Sequence, residues 1–61
     1  MSPAAAATVG AALTDLHEVS RHLAAGLPAG ALDAETTARI LDRLAAELAG
    51  AADMIRAAGT P

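Results

Sequence analysis

Sixty-one residues, a net charge of −3 and no cysteine bound what this chain can be. One small domain is the limit at this length, and chains so short commonly lean on a disulfide, a metal or a partner. The missing cysteine removes a disulfide and a thiolate metal site alike.

Composition narrows the function classes further. No aromatic residue is present, so base-stacking platforms and cation–π cages are excluded. There is no Lys, and Arg21, Arg39, Arg43 and Arg56 are interleaved with acids. A nucleic-acid partner is therefore not expected, because phosphate binding needs a basic surface. Met1-Ser2-Pro3-Ala4 has no basic run and no long apolar stretch follows it, so no signal peptide is expected. No apolar run approaches the ~20 residues that cross a bilayer. The expected setting is cytoplasmic, without a membrane partner. The apolar fraction of 54% includes 19 Ala. Beyond Met1 the large apolar side chains are eight Leu, two Ile, two Val and Met54. That is a thin core for a chain standing alone, so self-association, or docking on a larger protein, is the first expectation. The heavy use of Ala and Arg without Lys also suits a GC-rich coding sequence.

Ser2-Pro3 reads as a helix start, with Ser2 as N-cap and Pro3 at the first helical position, where its missing N–H does no harm. The Ala run that follows favours helix, and Gly10 weakens it by about 1 kcal/mol against Ala. A later start at Thr14, with Asp15 and Glu18 in the first turn, is the alternative. Val9, Leu13, Leu16, Leu23 and Leu27 share one stripe, with Ser20 in the slot between Leu16 and Leu23 and Val19 on its flank. Thr14, Asp15, Glu18, Arg21 and His22 lie on the other face. Gly26 is expected to end the helix in a left-handed conformation, with Pro28 preventing continuation. The connector Gly26–Leu32 is short enough to make the flanking helices antiparallel neighbours. Leu27 and Leu32 are expected to tuck against the helix ends.

Asp33 is the N-cap candidate for a second helix, and Glu35 adds an acid to its first turn. Thr37, Leu41, Leu44, Leu48, Ala51, Ile55 and Ala58 follow at intervals of 4, 3, 4, 3, 4 and 3. That spacing keeps one small-and-apolar stripe on one helix face for three heptads. Ile40 and Met54 widen the stripe on one flank, and Ala38, Ala45 and Ala52 line the other. Small residues there let a neighbouring helix approach closely. Glu35–Arg39 and Arg43–Glu47 are expected i,i+4 ion pairs. Gly59 then stops the helix, with Pro61 beyond it.

These signals predict an all-α fold: an antiparallel helical hairpin, a single domain over 1–61, with helices at about 3–25 and 34–58. Each helix carries more apolar surface than one neighbour can cover. Two hairpins pairing as a four-helix bundle would cover it. The expected core and interface residues are Val9, Leu13, Leu16, Leu23, Leu41, Leu44, Leu48 and Ile55. The outer face of the second helix is unusually bare of charge. Ala46, Ala49, Gly50 and Ala57 there read either as compositional drift or as a second contact surface, since a mid-helix Gly costs stability unless something packs against it.

No residue set defines a reaction. His17 and His22 point about 140° apart on one helix, so they cannot grip one metal. Glu18 and His22 share a face, but bundle metal sites need further carboxylates on facing helices, and only Glu47 lies near the seam. No metal, cofactor or catalytic residue is therefore expected. Ser20 reads as a seam polar group bonded to its own helix, or as one that helps set register. His17 borders the Leu13/Leu16 stripe and reads as an ordinary boundary histidine, or as one whose protonation opposes assembly. The functional expectation is a non-enzymatic, self-associating interaction module. The alternative is a small regulatory or antitoxin-like adaptor that lays the same stripe on a larger protein.

Overall fold

A computed structural model describes residues 1–59 and shows two helices, α1 over Pro3–Gly26 and α2 over Ala34–Gly59, packed against each other as a hairpin. The ends follow from their caps. Ser2 is extended, and its Oγ accepts from the Ala5 N–H at 3.1 Å, with Pro3 in the first turn. The early start thus prevails, and Thr14 lies within α1, its hydroxyl donating to the Gly10 carbonyl at 3.0 Å. Asp33 caps α2, with Oδ2 accepting from the Thr36 N–H at 2.9 Å and from the Thr36 hydroxyl at 3.0 Å. The expected stop at Pro61 lies outside the described residues.

The turn differs from expectation. Gly26 stays inside α1, and Leu27 follows it in right-handed helical conformation. The left-handed residue is Gly30, at φ 68°. The chain reverses in a turn closed by the Gly30 N–H to the Leu27 carbonyl, and the Ala31 N–H returns to Gly26. Gly26 serves another purpose. A Cβ built there would lie 2.8 Å from Leu32 Cγ, so the bare backbone makes room for Leu32 to fold over the end of α1. Leu32 thus tucks in as expected, whereas Leu27 is left exposed, because it continues the helix instead of turning into the connector.

The helices meet through small side chains. On α1 the buried and half-buried positions are Ala5, Val9, Ala12, Val19, Leu23 and Gly26. On α2, Thr37, Leu44 and Ala51 are buried, with Ile40, Leu48 and Met54 half-buried. Thr37 enters the seam at no polar cost, because its hydroxyl donates to the Asp33 carbonyl at 2.7 Å. The seam on α1 shares Val9 and Leu23 with the stripe read in the sequence but is turned by about half a residue from it, away from Leu13. Ala12 and Val19 occupy it, and Val19 is a seam residue rather than a flank.

The glycines separate by role. Nothing lies within 4 Å of a Cβ added at Gly10. Gly10→Ala is expected to stabilise the hairpin by up to about 1 kcal/mol through helix propensity alone. Gly30→Ala forces a left-handed conformation on a side chain and is expected to cost about 1–2 kcal/mol. Thermal unfolding followed by far-UV circular dichroism reads both, and the two shifts have opposite signs.

Candidate interaction surface

The two sides of the hairpin, left and right of the seam, are chemically unlike. On one side a groove is lined by Asp15, Glu18 and Val19 from α1 and by Ile40, Arg43, Leu44 and Glu47 from α2. Its floor is apolar and its rim is charged. Arg43 does not pair with Glu47 within 4.0 Å. Among the described residues the ion pairs are Glu35–Arg39, at 3.5 Å, and Asp53–Arg56, at 2.9 Å. Glu47 instead faces Asp15 across the seam. A hydrogen bond between the two carboxyls, then burial and the Asp15 charge, hold Glu47 above its ordinary range. The Asp33 carboxyl moves the other way, lowered by the Thr36 backbone N–H and then by the Thr36 hydroxyl.

The opposite side is apolar. At 100° per residue, Leu13 and Ser20 on α1 and Leu41 on α2 turn to this side, whereas Leu16 and Ile55 border it from the seam, each about 40° from a buried alanine, Ala12 and Ala51. Much of this surface is open: Leu13 is 56% exposed, Leu41 47% and Ile55 45%, against 8% for Leu44 in the seam. Leu27 continues the row at the turn. Ala45 and Ala52 fill the slots beside the large residues of α2, and Arg56, one turn beyond Ala52, borders the strip at the open end of the hairpin.

The expected core residues therefore divide between two surfaces. Leu23 and Leu44 are buried in the hairpin seam, and Val9 and Leu48 are half-buried at its edge. Leu13, Leu16, Leu41 and Ile55 are exposed. They do not close the single hairpin, because the seam between two helices is only as wide as their contact. Ala12 escaped sequence reading because an Ala among 19 gives no contrast. The 4, 3, 7, 4, 3 spacing of Ala5, Val9, Ala12, Val19, Leu23 and Gly26 is the signal that finds it.

Ala46, Ala49, Gly50 and Ala57 are exposed on the outer side of α2, and the space around a Cβ at Gly50 is open. Ala57, by contrast, shares a groove with Met1, Ser2 and Ala5 at the open end of the hairpin. Ser20 is exposed and makes no side-chain hydrogen bond among the described residues, unlike Thr8 and Thr14, which bond back to their own helix. His17 is exposed at the border of the apolar strip. Among the described residues no three His, Asp or Glu side chains come together to hold a metal ion, and no helix is long and apolar enough to cross a membrane. No protein-family model, no curated protein and no solved structure matches the chain.

The Asp15–Glu47 pair makes stability depend on pH with a definite sign. The folded hairpin holds the Glu47 proton more tightly than the unfolded chain does. Its contribution is full below the ordinary glutamate range and is lost as pH rises through the raised folded value. The Asp33 cap behaves oppositely: its contribution is present above the ordinary aspartate range and fades as pH falls through the lowered folded value. Glu47→Gln is expected to raise the urea midpoint at neutral pH and to flatten its decline as pH rises above the ordinary glutamate range. A midpoint that keeps the same decline in the variant would remove the pair as its cause.

Proposed function

We propose that this protein is a non-enzymatic interaction module, a cytoplasmic helical hairpin that self-associates through its open apolar strip to form a four-helix bundle. One observation carries the reading: Leu13 and Leu41, 56% and 47% exposed, turn to the same side of the hairpin, with Leu16 and Ile55 open at the edge of the seam beside them. An uncharged strip that long is costly to leave in water, at roughly 25 cal/mol per Å². The hairpin measures 48 × 16 × 13 Å, so a partner would have to cover most of its broad face to reach the ~800 Å² that each side contributes to an ordinary stable interface. A second copy suits it, since a two-fold contact must be complementary to itself. With acids and arginines held off the strip, no like charges are brought together when two copies meet.

Sedimentation equilibrium across a concentration series tests the reading, with circular dichroism at the same concentrations. The expected result is a reversible helical dimer. Leu41→Glu is expected to raise the dissociation constant at least ~100-fold, because it places an unpaired carboxylate in the contact. Ala46→Glu, on the outer side of α2, is expected to leave it unchanged. A wild-type chain that stays monomeric at every concentration would overturn self-association and direct the search to a larger protein that takes the same strip. Weakening by Ala46→Glu as strong as that by Leu41→Glu would instead place the contact on the outer side of α2.

A further inference from the structure

Each helix carries three interleaved heptad rows. The first row faces the other helix of the hairpin. On α1 it is Ala5, Ala12, Val19 and Gly26, and on α2 it is Thr37, Leu44 and Ala51, all buried or half-buried. The second row stands beside it, at Val9, Leu16 and Leu23 on α1 and at Leu41, Leu48 and Ile55 on α2. Leu23 is buried there, but Leu16, Leu41 and Ile55 are left exposed. The third row lies beyond the second. On α1 it is Ala6, Leu13, Ser20 and Leu27, and on α2 it is Ala38, Ala45 and Ala52. All of these are exposed except Ala52, which is half-buried.

Resting on the self-association reading, we infer that a second copy docks along the third row, and that Ala38, Ala45 and Ala52 set a close helix approach there that a larger apolar side chain cannot replace. One row is enough for a helix with one neighbour. A helix in a four-helix bundle has two neighbours, one on each side of a row that points to the middle. Here the first row already has its neighbour, and the second row is half open beside it. The third row is the matching flank. At 1.5 Å per residue it covers roughly 32 Å from Ala6 to Leu27, most of a hairpin 48 Å long. A second copy brings the same rows at the same period. The contact can then continue from heptad to heptad, as ~800 Å² on so slim a body requires. The row also gives Leu27 a place. Leu27 keeps helical conformation past Gly26 and stays exposed, seven residues after Ser20.

On α2 every position of the third row is Ala. Nothing on that row holds a neighbouring helix away, so it can come to the near end of the ~8–10 Å range that side-chain bulk allows. Drawn in that far, it covers Leu41, Leu48 and Ile55 of the second row and turns them into bundle core. A Leu in place of Ala45 would hold the helix off and leave those side chains partly wet. Either helix of the partner would meet the same limit.

Ala45→Leu tests this by the sign of its effect. Ala45 is exposed in the hairpin, and Leu is close to Ala in helix propensity. The single hairpin therefore keeps its fold in the variant, which circular dichroism checks. Sedimentation equilibrium of the whole chain is expected to give a dimer dissociation constant at least ~10-fold above wild type, although the substitution adds apolar surface to the strip. Ala46→Leu, the same change on the outer side of α2, is expected to leave the constant unchanged. A constant for Ala45→Leu at or below wild type would overturn the close row while leaving self-association standing, because a loose apolar contact gains from a larger side chain. Weakening by Ala46→Leu as strong as that by Ala45→Leu would overturn it too. A wild-type chain that stays monomeric throughout would overturn self-association itself, and the row with it.

Discussion

Close approach of α1 and α2 through small side chains governs the whole molecule. Ala12 and Ala51 lie buried between the helices, and Thr37, satisfied by its own helix, is buried in the seam nearer the turn. Small residues bring the two backbones together, and they use up the seam without using up the leucines. A helix pair has one line of contact, so whatever lies more than about a quarter-turn from it faces water. Leu13 stands about that far from it, and Leu41 leans to the same side. Their exposure follows from the choice of Ala for the seam, and the open strip follows from their exposure.

The polar side obeys the same geometry with the opposite chemistry. Asp15 and Glu47 meet across the groove because the register puts them at one level. Two facing carboxyls oppose closure of the hairpin at neutral pH, although Val19, Ile40 and Leu44 beneath them favour it. The hairpin is thus apolar on one side and charged on the other, where Asp15, Glu18, Arg43 and Glu47 rim the groove.

Much of the fold was legible in the sequence, and the reasons are local. Ser2-Pro3 and Asp33 gave the helix starts, because a cap depends on a side chain and the two or three amides that follow it. Leu44 and Ala51 were found through a three-heptad spacing that only a helix can use. The α1 seam was harder to place. Leu13 and Ala12 are neighbours, and a hydrophobicity pattern follows the bulkier one, whereas packing chose the smaller. The left-handed residue was misplaced for a related reason. Both Gly26 and Gly30 suit that conformation, and the choice between them depends on Leu32, whose approach to Gly26 is a tertiary contact. The Asp15–Glu47 encounter needs the register of two helices, which single-helix spacing does not contain, so Arg43 looked like the natural neighbour of Glu47.

The seat of Leu32 on Gly26 has a kinetic meaning. It joins two residues only six positions apart, and it sets the alignment of everything beyond them. A chain that closes this contact first needs no long search, because each later pair is brought to its level by the one before. Folding then proceeds as a zipper from the turn toward the termini, the behaviour expected where local contacts dominate. A slip of α2 along α1 would have to lift Leu32 from its seat before any other pair could exchange.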